Sequence, residues 1–212
     1  MNTLTRYFAQ MALWLIPAFF LWWWLLQPVI LAAIAPVQDV LLQVTYDRAR
    51  ASLNYSNLID WHINTFLLLP QKAGETALFT WNAKVGNMTA LTLGFPLVWL
   101  LLLASPTGKI KKTLIGTVLV FIFTFLAIYL KVNIAMLNLL AADDPFLVYI
   151  SANLQTIHQP VSAWIGKTLE VFGGFLVYFT VLILPVYLAY WFNREWWLQL
   201  QTHYLAKNYT YP

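Results

Sequence analysis

The side chains with the most chemistry to offer are few: His62, His158 and His203, the adjacent carboxylates Asp143 and Asp144, and Lys131 at the end of a long apolar run. An imidazole near a carboxylate or amide, as His62 is to Asp60 and His158 to Gln159, suits general acid-base work near neutral pH. The histidines match no HExxH or other ligand spacing, and His203 is predicted on the opposite side of a membrane from the other two, so neither a metal nor a haem site is expected. Asp143-Asp144-Pro145 also reads as a helix start, a capping carboxylate ahead of proline in the first turn. The chain has no cysteine, which excludes a thiolate nucleophile, a disulfide and a Cys-ligated cluster. It contains no phosphate-binding glycine loop and no GxSxG elbow. No cofactor is expected, and His62, His158, Asp143 and Asp144 stand as weak candidates for chemistry at the outer face of a membrane.

The elements that must position these groups are membrane spans. Of 212 residues, 61% are hydrophobic, 17% aromatic and only 9% charged, the balance of an integral membrane protein. The net charge of +4 comes from basic residues standing singly at the ends of apolar runs rather than in a stripe, so nucleic acid is not an expected partner. Membrane lipids are. The loop Ser105 to Thr113 carries Lys109, Lys111 and Lys112 between two apolar runs, and a short basic loop of this kind is retained on the cytoplasmic side. Orienting the chain from it predicts an all-α transmembrane protein of four spans with a small α+β periplasmic insert.

In that reading residues 1–35 are a cytoplasmic start and an uncleaved first span, too long in its apolar run for a signal peptide. Residues 36–87 are the insert: an amphipathic helix from Pro36, then a period-two stretch from Leu53 to Asn64 and a return strand Thr76 to Trp81, forming a β-hairpin around Gln71 to Glu75. An isolated hairpin is marginal in water, so it needs the membrane, another loop or a partner protein. Residues 88–104 are the second span, 105–113 the basic loop, 114–131 the third span and 132–170 an outer segment with an interfacial helix. Residues 171–192 are the fourth span and 193–212 a polar cytoplasmic tail. The cytoplasmic side then holds Arg6, Lys109, Lys111, Lys112, Arg194 and Lys207 against Glu195, with both termini inside a bacterial inner membrane.

Candidate anchoring or interaction residues follow from the same pattern. Trp22, Trp23 and Trp24 form an unusual mid-helix triplet that faces lipid, protein or a pigment, and Trp61 and Trp81 belong to the hairpin. Lys131 either snorkels to the headgroups or is buried against Asp143, Asp144 or Glu170. Gly173-Gly174 permits close helix approach without a full GxxxG pattern.

Arg6-Tyr7-Phe8 opening a first span that continues Trp14-Leu15-Ile16-Pro17, an outer insert of about 50 residues, and Asn87 leading into Leu93-Gly94-Phe95-Pro96-Leu97 and a short basic loop together form a layout. It resembles the exosortase H-associated membrane proteins. The resemblance implies an accessory protein of a bacterial envelope protein-sorting system, working beside a transpeptidase-like membrane enzyme that processes C-terminal sorting signals. It supplies no catalytic residues, and the enzyme's own cysteine nucleophile has no counterpart here. Three functions are thus in play. One is a non-enzymatic accessory or assembly subunit bound to a larger integral membrane protein. The second is a small membrane enzyme or carrier acting on lipid or peptide at the outer face, and the third a supernumerary subunit of a respiratory or photosynthetic complex.

Overall fold

The computed structural model describes residues 3–46, 50–70, 76–140 and 163–209. Asp143, Asp144 and His158 lie outside the described residues, as does the expected interfacial helix around them. The chain is mostly helical, with three helices long and apolar enough to cross a membrane: Leu4–Thr45, Lys109–Asn138 and Lys167–Phe192. They carry large exposed apolar side chains, among them Phe8, Leu13, Ile16 and Phe20 on the first and Val171, Phe172, Phe175 and Val186 on the third. A soluble monomer rarely exposes apolar surface on this scale, whereas acyl chains solvate it.

The first helix is one rod assembled from α1 (Thr3–Leu21), a π-helical turn (Trp22–Leu26) and α2 (Gln27–Thr45). The sequence reading ended the span at residue 35 and began a separate amphipathic helix at Pro36, but no break occurs there. Ile30, Leu31, Ile34, Ala35, Gln38 and Leu42 form one buried face across Pro36, and that packing holds the helix through the single hydrogen bond the proline omits.

Beyond α2 comes a three-stranded antiparallel sheet in the order β1 (Ser52–Asn54), β2 (Asp60–Pro70), β3 (Thr76–Asn87). The expected hairpin exists, but the single strand expected from Leu53 to Asn64 is folded into two. Asn54 Oδ1 accepts from Ser56 N at 3.1 Å and Asn57 Oδ1 from Ile59 N at 3.1 Å, so two Asn side chains turn the chain in between. The return strand also runs six residues past Trp81, to Asn87. A bulge between Trp61 and His62 sets Trp61 opposite Gly86 and His62 opposite Lys84, and Gly86 takes a φ of +97° that other residues resist. Trp61, Ile63, Leu53 and Val85 pack inward from the sheet into the core shared with α2 and α4.

The second apolar run is shorter than a full span. After a 3-10 turn (Thr89–Thr92), α3 (Gly94–Leu103) has 10 helical residues and packs on α1 and on α4 (Lys109–Leu140). The 32-residue α4 extends well past the expected 114–131. The last membrane-length helix joins α5 (Ala163–Tyr178), a second π-helical turn (Phe179–Ile183) and α6 (Leu184–Phe192), and the tail expected to be merely polar forms α7 (Arg194–Tyr209). The start of α1, the α3–α4 loop and the α6–α7 junction meet at one end of the bundle, which is rich in lysine and arginine. The sheet occupies the other.

Candidate functional site

The two π-helical turns have the same local cause. Gln27 N bonds back five residues to Trp22 O immediately before Pro28, and Leu184 N bonds back five to Phe179 O immediately before Pro185. A proline cannot donate to the carbonyl four residues earlier, and one wider turn absorbs the fault. Both widened turns press on the same segment, residues 89–94. Trp22 Nε1 donates to Thr92 Oγ1 at 3.2 Å, and Gln27 Nε2 to Thr89 Oγ1 at 2.8 Å. Thr92 Oγ1 in turn donates to Thr89 O at 2.9 Å. From the other side, the backbone of Thr180 comes so near Gly94 that a Cβ there would stand 2.7 Å from Thr180 O. Thr124 Oγ1 completes the seam by donating to Leu91 O at 3.4 Å.

Trp22, Gln27, Thr92, Thr124 and Thr180 are all buried. Hydroxyls and amides enclosed in apolar surroundings are costly unless paired, and here the pairs join helices far apart in sequence. None of these groups is an acid or a base. Chemically the seam can fix geometry: it locks the chain emerging from β3 against two spanning helices. Sequence reading missed Gln27, Thr89, Thr92 and Thr180; the available signal was a polar residue inside an apolar run, which names no partner.

At the sheet end, Lys131 Nζ donates to Asn87 O at 3.0 Å, and Asn87 pairs with Asp60 in the β2–β3 register. Lys131 thus fastens α4 to the root of the sheet; of the three carboxylates expected as its alternatives, Glu170 is exposed, and Asp143 and Asp144 lie outside the described residues. Tyr46 Oη donates to Asn133 Oδ1 at 3.1 Å, and Asp39 Oδ1 accepts from Leu53 N at 2.6 Å, tying the end of α2 to α4 and to β1. Burial, with Tyr129 nearby, raises the Tyr46 phenol above its usual range. His62 is half-buried on β2. Among the described residues no three of His, Asp and Glu converge to hold a metal ion.

The aromatic and glycine candidates separate. Trp22 is 3% exposed and belongs to the seam, whereas Trp23 and Trp24 are 59% and 76% exposed and face outward. Trp61 is fully buried, its Nε1 donating to Leu58 O at 2.9 Å, and Trp81 pairs with Thr65 across the hairpin. Gly173 faces Ile134 closely, while a Cβ on Gly174 would meet nothing within 4 Å.

At the basic end, Asn193 Oδ1 accepts from Lys112 Nζ at 2.9 Å and from Ser105 Oγ at 2.5 Å, and Asn193 Nδ2 donates to Ala189 O at 2.9 Å. A Ser-Lys pair can be nucleophilic, but Ser105 is fully buried and Lys112 Nζ also reaches Thr107 Oγ1, the geometry of a clamp between the α3–α4 and α6–α7 junctions.

Comparison with known proteins fits these positions. No curated protein and no solved structure matches the chain. The family model for the exosortase H-associated membrane protein matches residues 1–163, covering the first helix, the sheet, the gripped segment with Leu93-Gly94-Phe95-Pro96-Leu97, and α4. This chain belongs to the exosortase H-associated membrane protein family.

Proposed function

We propose that the chain is a non-enzymatic accessory or assembly subunit of an exosortase-type protein-sorting complex in a bacterial inner membrane, and that its sheet is the surface offered to a larger integral membrane partner. The observation that carries this reading is the β2–β3 ribbon. Asn64 pairs with Ser52 on β1, but the β2–β3 pairing continues for six further pairs, from Thr65 with Trp81 to Pro70 with Thr76. Both strands of this extension have consecutive apolar residues, Phe66-Leu67-Leu68-Leu69 and Ala77-Leu78-Phe79. Such runs belong to strands covered on both faces, and a two-stranded ribbon is marginal by itself.

Placement in the membrane supports the same reading. Arg6 to Trp24 covers about 27 Å of helix and Lys109 to Lys131 about 33 Å, each close to the ~30 Å hydrocarbon core. Exposed Trp23 and Trp24 then sit at the far headgroups, where Trp concentrates, and Lys131 sits at the same level. The rest of α2 and α4 rises into the periplasm as a stalk for the sheet. The run 88–104 crosses as a fourth, thin span, and both termini are cytoplasmic beside the basic loop, in keeping with retention of Lys and Arg.

The test is purification of the tagged chain from its native membrane in mild detergent. A stoichiometric multi-span, cysteine-containing membrane enzyme is expected to accompany it, and deletion of residues 66–79 should release that companion while the helical bundle keeps its melting temperature. A chain that purifies alone from intact membranes, or a companion that survives the deletion, would overturn the proposal.

A further inference from the structure

The basic end contains a feature that neither the seam nor the sheet explains. Two open cavities lie side by side there and share Pro106 and Trp196 as a common wall. The larger, about 640 Å³, is lined by Thr107, Lys112, Arg194 and Trp191 among others, and the smaller, about 180 Å³, by Arg6 and Lys109. Among the described residues Glu195 is the one carboxylate lining either, so four cations face a single anion. Arg6 and Arg194 are exposed and have no hydrogen bond or ion pair within the described residues. The wall is built rather than incidental: the Trp196 ring lies 5.1 Å from Tyr7 and 4.7 Å from Trp197, and Tyr7 Oη donates to Leu101 O at 3.2 Å. On the rim of the larger cavity Trp191 and Leu198 are 56% and 45% exposed.

We infer that the larger cavity binds the phosphate of an anionic phospholipid headgroup. Lys112 and Arg194 supply the charge, Thr107 a hydroxyl donor, and Arg6 and Lys109 next door deepen the positive field. A phosphate anion could also arrive free in solution, but the exposed Trp191 and Leu198 at the rim continue the apolar flank of the bundle, where acyl chains attached to the same phosphate would lie. Lysine and arginine at a membrane surface attract anionic lipid in this way.

Native mass spectrometry of the detergent-solubilised full chain, titrated with phosphatidylglycerol or with phosphatidylcholine of the same acyl chains, tests the assignment. Phosphatidylglycerol should be retained preferentially, and Arg194→Gln should weaken its retention about fivefold, the share of one cation near a membrane surface. Arg194 has no partner to lose among the described residues, and an unchanged lipid-free melting temperature would establish that the variant folds. Lys111→Gln, an exposed lysine of the same end outside both cavities, should change nothing. Equal retention of the two lipids, or equal losses in the two variants, would overturn the site. Millimolar inorganic phosphate stabilising the chain as well as phosphatidylglycerol would overturn its lipid character.

Discussion

Replacing Gly94 by alanine probes the grip of the two π-helical turns most directly. The added Cβ would stand 2.7 Å from Thr180 O and 3.2 Å from Val120 Cγ1, and the nearer obstacle is backbone, held by its own helix. Relief requires α3 and the second π-helical turn to part by several tenths of an ångström, and overpacking of this sort costs about 1–3 kcal/mol. Alanine recovers at most ~1 kcal/mol of helix propensity, and less at Gly94 because it is the first residue of α3. The strain wins. The expected net loss is about 1–2 kcal/mol, or roughly 2–8 °C in Tm for a chain of this size. Two other glycines calibrate the result. At Gly173 the Cβ would lie 2.5 Å from Ile134 Cδ1, the end of a side chain that can turn away, so the loss should be smaller; at Gly174 the space is open and alanine should be neutral or slightly stabilising. Thermal unfolding in one detergent, followed by tryptophan fluorescence, ranks the three. A Gly94→Ala protein as stable as the parent, or a Gly174→Ala protein less stable than Gly94→Ala, would refute the argument that Thr180 presses on α3.

The remaining seams give further outcomes. Trp22→Phe and Thr92→Val should each cost about 1 kcal/mol, and the double variant should cost less than their sum, because both remove the same 3.2 Å hydrogen bond; strict additivity in thermal melts would deny the bond. Gln38 is 1% exposed, its Nε2 donates to Phe125 O at 3.2 Å and its Oε1 has no partner among the described residues, so Gln38→Leu should leave stability unchanged or raise it by ~1 kcal/mol, readable in the same melts. Asn193→Ala strips the acceptor shared by Lys112 and Ser105 and should lower stability by about 1–3 kcal/mol, while Thr202→Ala on the exposed part of α7 should not. Tyr46 is protonated more tightly when folded than unfolded, so its contribution is complete below the ordinary phenol pKa of about 10 and is lost as pH rises through the higher folded value; Tyr46→Phe should flatten that part of the alkaline decline in stability.

What could be read from the sequence was what composition and short-range spacing encode. The lysine loop and the turn residues 71–75 are local signals, and α3 ends and α4 begins around the first as β2 ends and β3 begins around the second; the long apolar runs announced helices but not their ends, since α2 continues past residue 35 and α4 past residue 131. Proline misled at residue 36. Pro36 looks like a helix start and lies inside a helix, because six buried neighbours outweigh one lost hydrogen bond; Pro28 and Pro185, from which the sequence reading drew nothing, each follow a wider turn. The seam was invisible for a different reason. Trp22 and Thr92 are 70 residues apart, Gln27 and Thr89 62, and no pattern within either segment predicts the other.

The seam includes the stretch that carried the resemblance. The stretch that carried the resemblance, Leu93-Gly94-Phe95-Pro96-Leu97, contains a glycine that backbone contact requires, a phenylalanine 1% exposed, and a proline in the first turn of α3, where its missing N–H has no helical acceptor to lose. Each residue type follows from packing, and none is reactive. The same stretch is the direct covalent link from β3 to the bundle, reinforced by Met88 N donating to Ile59 O at 2.8 Å and by Lys131 on Asn87 O. If the ribbon docks on a partner as proposed, binding gains most when its orientation is fixed beforehand, because ordering it on binding would subtract from the affinity. Rigid presentation of the sheet is therefore what this arrangement of prolines, threonines and glycine is suited to supply.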